Sequence, residues 1–271
     1  MVRLVELSEG VRTAFRPWAS DPAAVVTMFG GATLLLFVLS LWFWVGDRRK
    51  IATVVSYAFV ALSLVLLVKT LFGMPRPPES VWTVTYDGDP YGFPSGHAVA
   101  AVVVYGGLVT VYDRFDPPTL AAAGVVIAVI ALSRVVIGVH YLGDILAGLA
   151  LGAALLGTLW KTVGPDPLRA FAIAAVLAAV AALVGAPESA LALGGSLGGL
   201  AGSLGLERLP DPRSHAERGV LTVAGVVVVL AFDQGLDAVS GLPLTVLGNA
   251  VLVVAILLLP LVVGKIPHPT R

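Results

Sequence analysis

The chain has 271 residues, 58% hydrophobic and only 13% charged, with a mean hydropathy of +0.94. This composition excludes an ordinary water-soluble domain and points to a polytopic membrane protein. The 17 basic and 17 acidic residues cancel, so no net field draws the chain to nucleic acid, and the absence of cysteine removes disulfides, thiolate metal sites and a thiol nucleophile.

At the amino terminus, Leu4, Leu7, Val11, Phe15 and Trp18 recur at helical spacing among Arg3, Glu6, Arg12 and Arg16. The pattern predicts an interfacial amphipathic helix over residues 1–24, lying on the membrane. No small-residue cleavage pattern follows it, so it does not read as a signal peptide. Residues 25–45 then carry no charge over a length that spans about 30 Å of hydrocarbon as a helix. Further apolar runs follow at 51–72, 97–112, 119–137, 141–160, 168–186, 190–206, 219–236 and 243–263. The expected fold is all-α, a polytopic transmembrane helix bundle of about nine spans. It divides into the helix 1–24, a core 25–186 and additional transmembrane helices 187–271 of unassigned role. Within 190–206, Gly194, Gly195, Gly198, Gly199 and Gly202 form overlapping Gly-xxx-Gly pairs, which allow close helix contact inside a bilayer.

An odd number of spans puts the two chain ends on opposite sides. The amino-terminal side then carries Arg3, Arg12 and Arg16 together with Lys69, Arg76 and Arg134. The other side carries Arg48, Arg49, Lys50, Arg114, Lys161, Arg169, Arg208, Arg213, Arg218, Lys265 and Arg271. The positive-inside rule places this larger group in the cytoplasm, so Lys69, Arg76 and Arg134 face outward from a cell membrane.

Three segments carry chemistry. In the first, Lys69 closes an apolar run and Arg76 follows in a proline-rich stretch ending at Pro77. Two cations beside a bilayer are costly unless they snorkel or share an anion, and Arg76 offers a fork for phosphate oxygens where Lys69 offers a point charge. In the second, Pro94-Ser95-Gly96-His97 precedes an apolar helix. Ser95 is placed to cap it, and the unpaired N–H groups of its first turn, beside Gly96, suit a phosphate. In the third, Ser133-Arg134 leads to His140 and Asp144, four residues apart and so on one helical face. An aspartate bonded to an imidazole fixes its tautomer and raises its basicity. From the residues alone each segment also has a bland reading: a snorkelling lysine, an ordinary serine cap, a polar pair joining helices.

Taken together these residues form the pattern K-x6-RP, PSGH, SR-x5-H-x3-D, in order and without a substitution. On them the chain resembles the phosphatidic acid phosphatase type 2 superfamily, which also includes vanadium-dependent haloperoxidases. The resemblance implies that Lys69, Arg76, Ser95, Gly96 and Arg134 bind phosphate, that His140 attacks phosphorus to give a phosphohistidine, that Asp144 orients His140, and that His97 protonates the leaving alkoxide. It implies an integral-membrane lipid phosphatase acting on a lipid phosphomonoester or diphosphate, with no metal and no cofactor, and a membrane lipid phosphate as its partner in the bilayer. A lipid phosphotransferase using the same intermediate and, from another class, a transporter or channel are the alternatives. Asp87, Asp89 and Tyr91 read as solvated loop residues before Pro94, Asp233 and Asp237 as a span boundary, and His215 and His268 as polar cytoplasmic positions. The particular lipid, the oligomeric state and the role of 187–271 stay open.

Overall fold

The computed structural model describes residues 3–86, 88–209, 215–237 and 241–264, with the side chains of 233–237 excepted. Among these residues the chain is helical with no strands, in ten helices. They are α1 (Val5–Met28), α2 (Ala32–Val45), α3 (Arg48–Phe72), α4 (Gly96–Val111), α5 (Pro117–Val136), α6 (Leu142–Thr162), α7 (Pro167–Leu183), α8 (Ser189–Ser203), α9 (His215–Asp237) and α10 (Leu242–Val263). Local chemistry sets several starts. Asp47, Asp116 and Asp166 accept from the backbone N–H three residues on, and Pro117 and Pro167 occupy first-turn positions where no N–H is needed.

Five helices, α3, α5, α6, α9 and α10, are each long and apolar enough to cross a bilayer, and the bent pair α1 and α2 adds a sixth if it forms one span. This makes the chain a helical membrane protein. The helices α4 and α7 are shorter apolar segments. The continuous span expected over 25–45 is instead broken. The amphipathic helix runs past residue 24 to Met28, and the chain turns by 52° before α2 begins at Ala32. The glycine at the break has a reason: a Cβ at Gly30 would come within 2.5 Å of Ile130 Cγ2 and 3.2 Å of His97 Cδ2. At 14 residues, α2 rises only about 21 Å.

The bundle is organised around α3, whose apolar window is 72% buried against 33% or less for the other full-length spans. Against it pack α2, α4, α7 and α8, and Phe43, Trp44, Ile51, Tyr57, Phe59, Val103 and Phe171 fill the core between them. Within α4, residues Val102–Gly106 form one π-helical turn. The glycine stripe of α8 does what its spacing suggested: a Cβ at Gly194 or Gly198 would strike the Val246 or Ala250 carbonyl of α10, and one at Gly199 would strike the Phe171 ring of α7. On α1 the stripe Leu7, Phe15 and Trp18 faces away from the protein, while Ser8 and Arg12 are buried against it.

Because α3, α4, α5 and α6 alternate in direction, the carboxyl ends of α3 and α5 and the amino ends of α4 and α6 lie at one end of the bundle. Lys69, His97, Arg134 and Asp144 occupy those ends. The contact between α8 and α10 is tested by Gly198→Leu, which is expected to lower stability by about 2 kcal/mol or more through overpacking, read as a reduced midpoint of thermal unfolding in detergent; an unchanged midpoint contradicts the packing.

Candidate active site

At that end Lys69, Arg76, Gly96, His97 and His140 line one cavity of about 130 Å³. Each arrives from a different place: Lys69 from the last turn of α3, Arg76 from the loop after it, Gly96 and His97 from the first turn of α4, and His140 from the α5–α6 turn. Gly138, at φ +88°, lets the chain reverse just before His140 in a position where a Cβ would strike the Val81 carbonyl.

Arg76 is the best-connected side chain. Its Nε donates to the Asp89 carbonyl at 2.9 Å, Nη2 donates to the Tyr86 hydroxyl at 2.7 Å and to Asp89 Oδ2 at 3.2 Å, and Nη1 reaches the Val139 carbonyl at 3.2 Å. Nη1 also lies 3.0 Å from His140 Nε2. A guanidinium can only donate, so Nε2 must be the acceptor and neutral His140 carries its proton on Nδ1. Nδ1 lies 3.6 Å from Asp144 Oδ2, beyond hydrogen-bond length. His140 is 1% exposed, and burial drives its protonation well below the usual histidine range, with Arg134, Arg76 and Lys69 adding like-charge repulsion.

Asp144 is fully buried at the start of α6. Its Oδ2 accepts from Tyr141 N at 2.9 Å, and its backbone carbonyl accepts from Ser95 N at 2.9 Å, which ties the second and third motif segments together. Ser95 is equally buried and caps α4, its Oγ accepting from Ala98 N at 3.4 Å. Ser95 and Asp144 therefore sit behind the cavity wall. Arg134, 3% exposed, donates to Thr27 Oγ1 at 2.7 Å and lies 5.8 Å from the Tyr86 ring centre, while its Nε and Nη2 have no hydrogen-bond partner. All eight residues singled out by the motifs thus lie in or directly behind one site.

Several residues that shape the site were not assigned to it by sequence. Asp89, expected to be solvated, is 7% exposed and receives Lys69 Nζ at 2.6 Å as well as Arg76. Lys69 also donates to the Tyr91 carbonyl at 3.0 Å, so Tyr91 too takes part, through its backbone. Asp87 and His268 lie outside the described residues, as do the side chains of Asp233 and Asp237. Tyr86 and Glu188 complete the cavity wall. Glu188 precedes α8 with φ +61°, and burial raises its carboxyl above the usual range, Asp89 adding to the effect. Arg3 pairs with Asp144 through two hydrogen bonds of 2.7 Å. Nothing in their spacing marks Arg3, Asp89 or Glu188, because their partners are distant in sequence. Away from the cations the cavity wall is apolar, formed by Leu35, Leu36, Leu62, Leu66, Ala100 and Val104 of α2, α3 and α4.

The segment holding these elements, residues 50–167, matches the family described as PAP2 superfamily. The chain is 33% identical over 127 residues to decaprenylphosphoryl-5-phosphoribose phosphatase of Mycobacterium tuberculosis, covering 45% of this chain and 66% of that protein. It is 32% identical over 140 residues to lipid phosphate phosphatase delta of Arabidopsis thaliana, covering 46% of this chain and 33% of that one. The chain therefore spans less than two thirds of the length of these relatives. Among solved structures it is similar to that of the first transmembrane PAP2 type phosphatidylglycerolphosphate phosphatase from Bacillus subtilis, at a TM-score of 0.49 and 23% identity over 58% of this chain and 82% of that chain.

The Asp89 carboxylate stands where it neutralises two cations of the site. Asp89→Asn is expected to tighten binding of inorganic phosphate by roughly tenfold, since a like charge beside the anion is removed, measured by isothermal titration in detergent. Weaker binding would show that Asp89 holds the cations in place rather than competing with the ligand.

Proposed function

We propose that the chain is an integral-membrane phosphatase that removes phosphate from a lipid phosphomonoester or diphosphate through a phosphohistidine, without a metal ion. The observation that carries this reading is the convergence of His97 and His140 on one cavity with Lys69 and Arg76, at a bundle end where an apolar wall continues toward the membrane interior. The relatives named above act, by their names, on lipid phosphates, which supports the same class here.

In this mechanism Lys69, Arg76 and the N–H groups at the start of α4 around Gly96 hold the phosphate oxygens, and the unpaired nitrogens of Arg134 complete the set. Ser95 acts as the cap that presents those N–H groups. When phosphate takes over the hydrogen bond that Arg76 now gives to Nε2, the His140 lone pair is freed. Nε2 attacks phosphorus, a P–N bond forms, and the P–O bond to the lipid breaks as His97 donates a proton to the departing oxygen. His97 then takes a proton from water, the resulting oxygen attacks phosphorus, the P–N bond breaks, and inorganic phosphate leaves. The lipid tail rests along Leu35, Leu36, Leu62 and Leu66 with its head group in the cavity. The loop charges support an extracytoplasmic site, since Arg48, Arg49 and Lys50 lie at the opposite end of α3 from Lys69.

Two measurements test this. Phosphate release from a panel of lipid phosphates, with chelator present, is expected from the wild type and is expected to fall on the order of 10³-fold or more in His140→Ala; release that requires magnesium, or that survives the substitution, refutes the mechanism. The second concerns pH. The nucleophile works as the neutral imidazole, and burial holds the His140 protonation below the ordinary value of 6.5. Activity should therefore persist as pH falls through 6.5 and be lost only at lower pH, with the acidic limb of kcat/KM, which reports the free enzyme, below that value.

A further inference from the structure

Arg3 belongs to the amino-terminal segment, outside residues 50–167, yet it bonds to the first and third motif segments. Its Nε and Nη2 form a fork onto Asp144, each at 2.7 Å, and its Nη1 donates to the carbonyl of Pro75, the neighbour of Arg76, at 2.6 Å. Its own carbonyl accepts from Gly143 N at 3.1 Å, and its guanidinium covers the Tyr141 ring at 4.6 Å. In the loop before the second motif the chain makes room for it: a Cβ at Gly92 would come within 2.6 Å of Arg3 Nη2. The Arg3 side chain is 17% exposed and that of Asp144 is 0% exposed, so this is not a screened surface pair.

Asp144 Oδ2 is thus shared. Arg3 Nη2 and Tyr141 N bond to it, and His140 Nδ1 stands off at 3.6 Å. We propose that Arg3 is a positioning residue for the His140–Asp144 pair: its fork fixes and neutralises the Asp144 carboxylate, so that His140 stays an uncharged imidazole with its Nε2 turned to the cavity. Without Arg3 the buried carboxylate keeps a single backbone donor, and the nearest proton source is His140 Nδ1. A protonated His140 has no lone pair at Nε2 and cannot attack. The other groups facing His140 are Lys69 on α3, His97 on α4, Arg134 on α5, and Arg76, Tyr86 and Asp89 on the loop between α3 and α4, with Glu188 across the cavity. None of these bonds to Asp144, so the effect of Arg3 is separable from theirs.

The significance of this role for catalysis rests on the phosphatase reading, but the coupling itself is measured without turnover. Histidine ring carbons of the full-length protein in detergent are labelled and titrated by NMR, with His140 assigned by its loss in His140→Gln. Arg3→Gln is expected to raise the His140 midpoint by about one pH unit, the scale of an uncompensated carboxylate nearby. Arg3→Lys, which keeps the charge and loses the fork, is expected to raise it by less. In the same preparations the acidic limb of kcat/KM should move with the midpoint, whereas a merely structural contribution would lower the plateau and leave the limb in place. An unmoved His140 midpoint in folded Arg3→Gln overturns the proposal. If Arg3→Gln does not fold, Arg3→Lys decides alone, and an unmoved midpoint there overturns it equally. A wild type that hydrolyses no lipid phosphate while the midpoint shifts as expected defeats the phosphatase reading and leaves the Arg3 coupling standing.

Discussion

Three cations, Lys69, Arg76 and Arg134, are each less than a tenth exposed at one end of an apolar bundle, and the arrangement of the site follows from how their charge is compensated. Like charges withdrawn from water repel strongly and must find counter-charge or fixed dipoles. Asp89 supplies one negative group, shared by Lys69 and Arg76. Carbonyls of Asp89, Tyr91 and Val139 and the Tyr86 hydroxyl supply dipoles, and Tyr86 also packs its ring 4.0 Å under the Arg76 guanidinium. These same contacts help to order the long loop between α3 and α4, alongside Trp82, Val84 and Tyr86 packed against Val136, Ile137 and Val139. Arg134 is left with two nitrogens without partners. The chain carries an excess of buried positive charge that a tetrahedral dianion would complete.

Much of this could be read before any coordinates. Apolar runs bounded by Asp-x-x or by proline mark the starts of α3, α5 and α7 because capping and hydropathy are local properties. The convergence of the motif residues was legible because each motif sits at a helix end, and alternation of helix direction brings those ends together. Three features were not legible. The break at Gly30–Gly31 sits where a Cβ would strike Ile130 of α5 and crowd His97 of α4, neighbours far along the chain. The burial of Asp89 depends on two cations that approach it from separate segments. The pairing of Arg3 with Asp144 spans 141 residues, and on a helical wheel Arg3 is one more charge on the polar side of an amphipathic segment.

The flanks of the family segment are therefore part of the site. From the amino-terminal side come Arg3, the Thr27 hydroxyl that holds Arg134, and the Ser8 hydroxyl that accepts from Leu142 N at the start of α6. From the carboxyl-terminal side comes Glu188, and α8 presses its glycine face between α3, α7 and α10 to set the position from which Glu188 projects. The amphipathic helix α1 keeps Leu7, Phe15 and Trp18 outward while Ser8 on its other face holds Leu142 N, and Arg3, two residues before the helix starts, reaches the buried Asp144.

The π-turn at Val102–Gly106 has its own geometric result. One residue beyond the α-helical repeat rotates everything downstream by about 100° relative to an unbroken helix. The first turn of α4 places His97 at the cavity wall, while the later turns lay Val103, Val104 and Val111 into the core. With that added residue absent, the two halves would fall out of phase, and docking the lower half correctly would swing the imidazole away from its partners. The extra residue works as an angular spacer, separating the azimuth of His97 from the packing that anchors its helix.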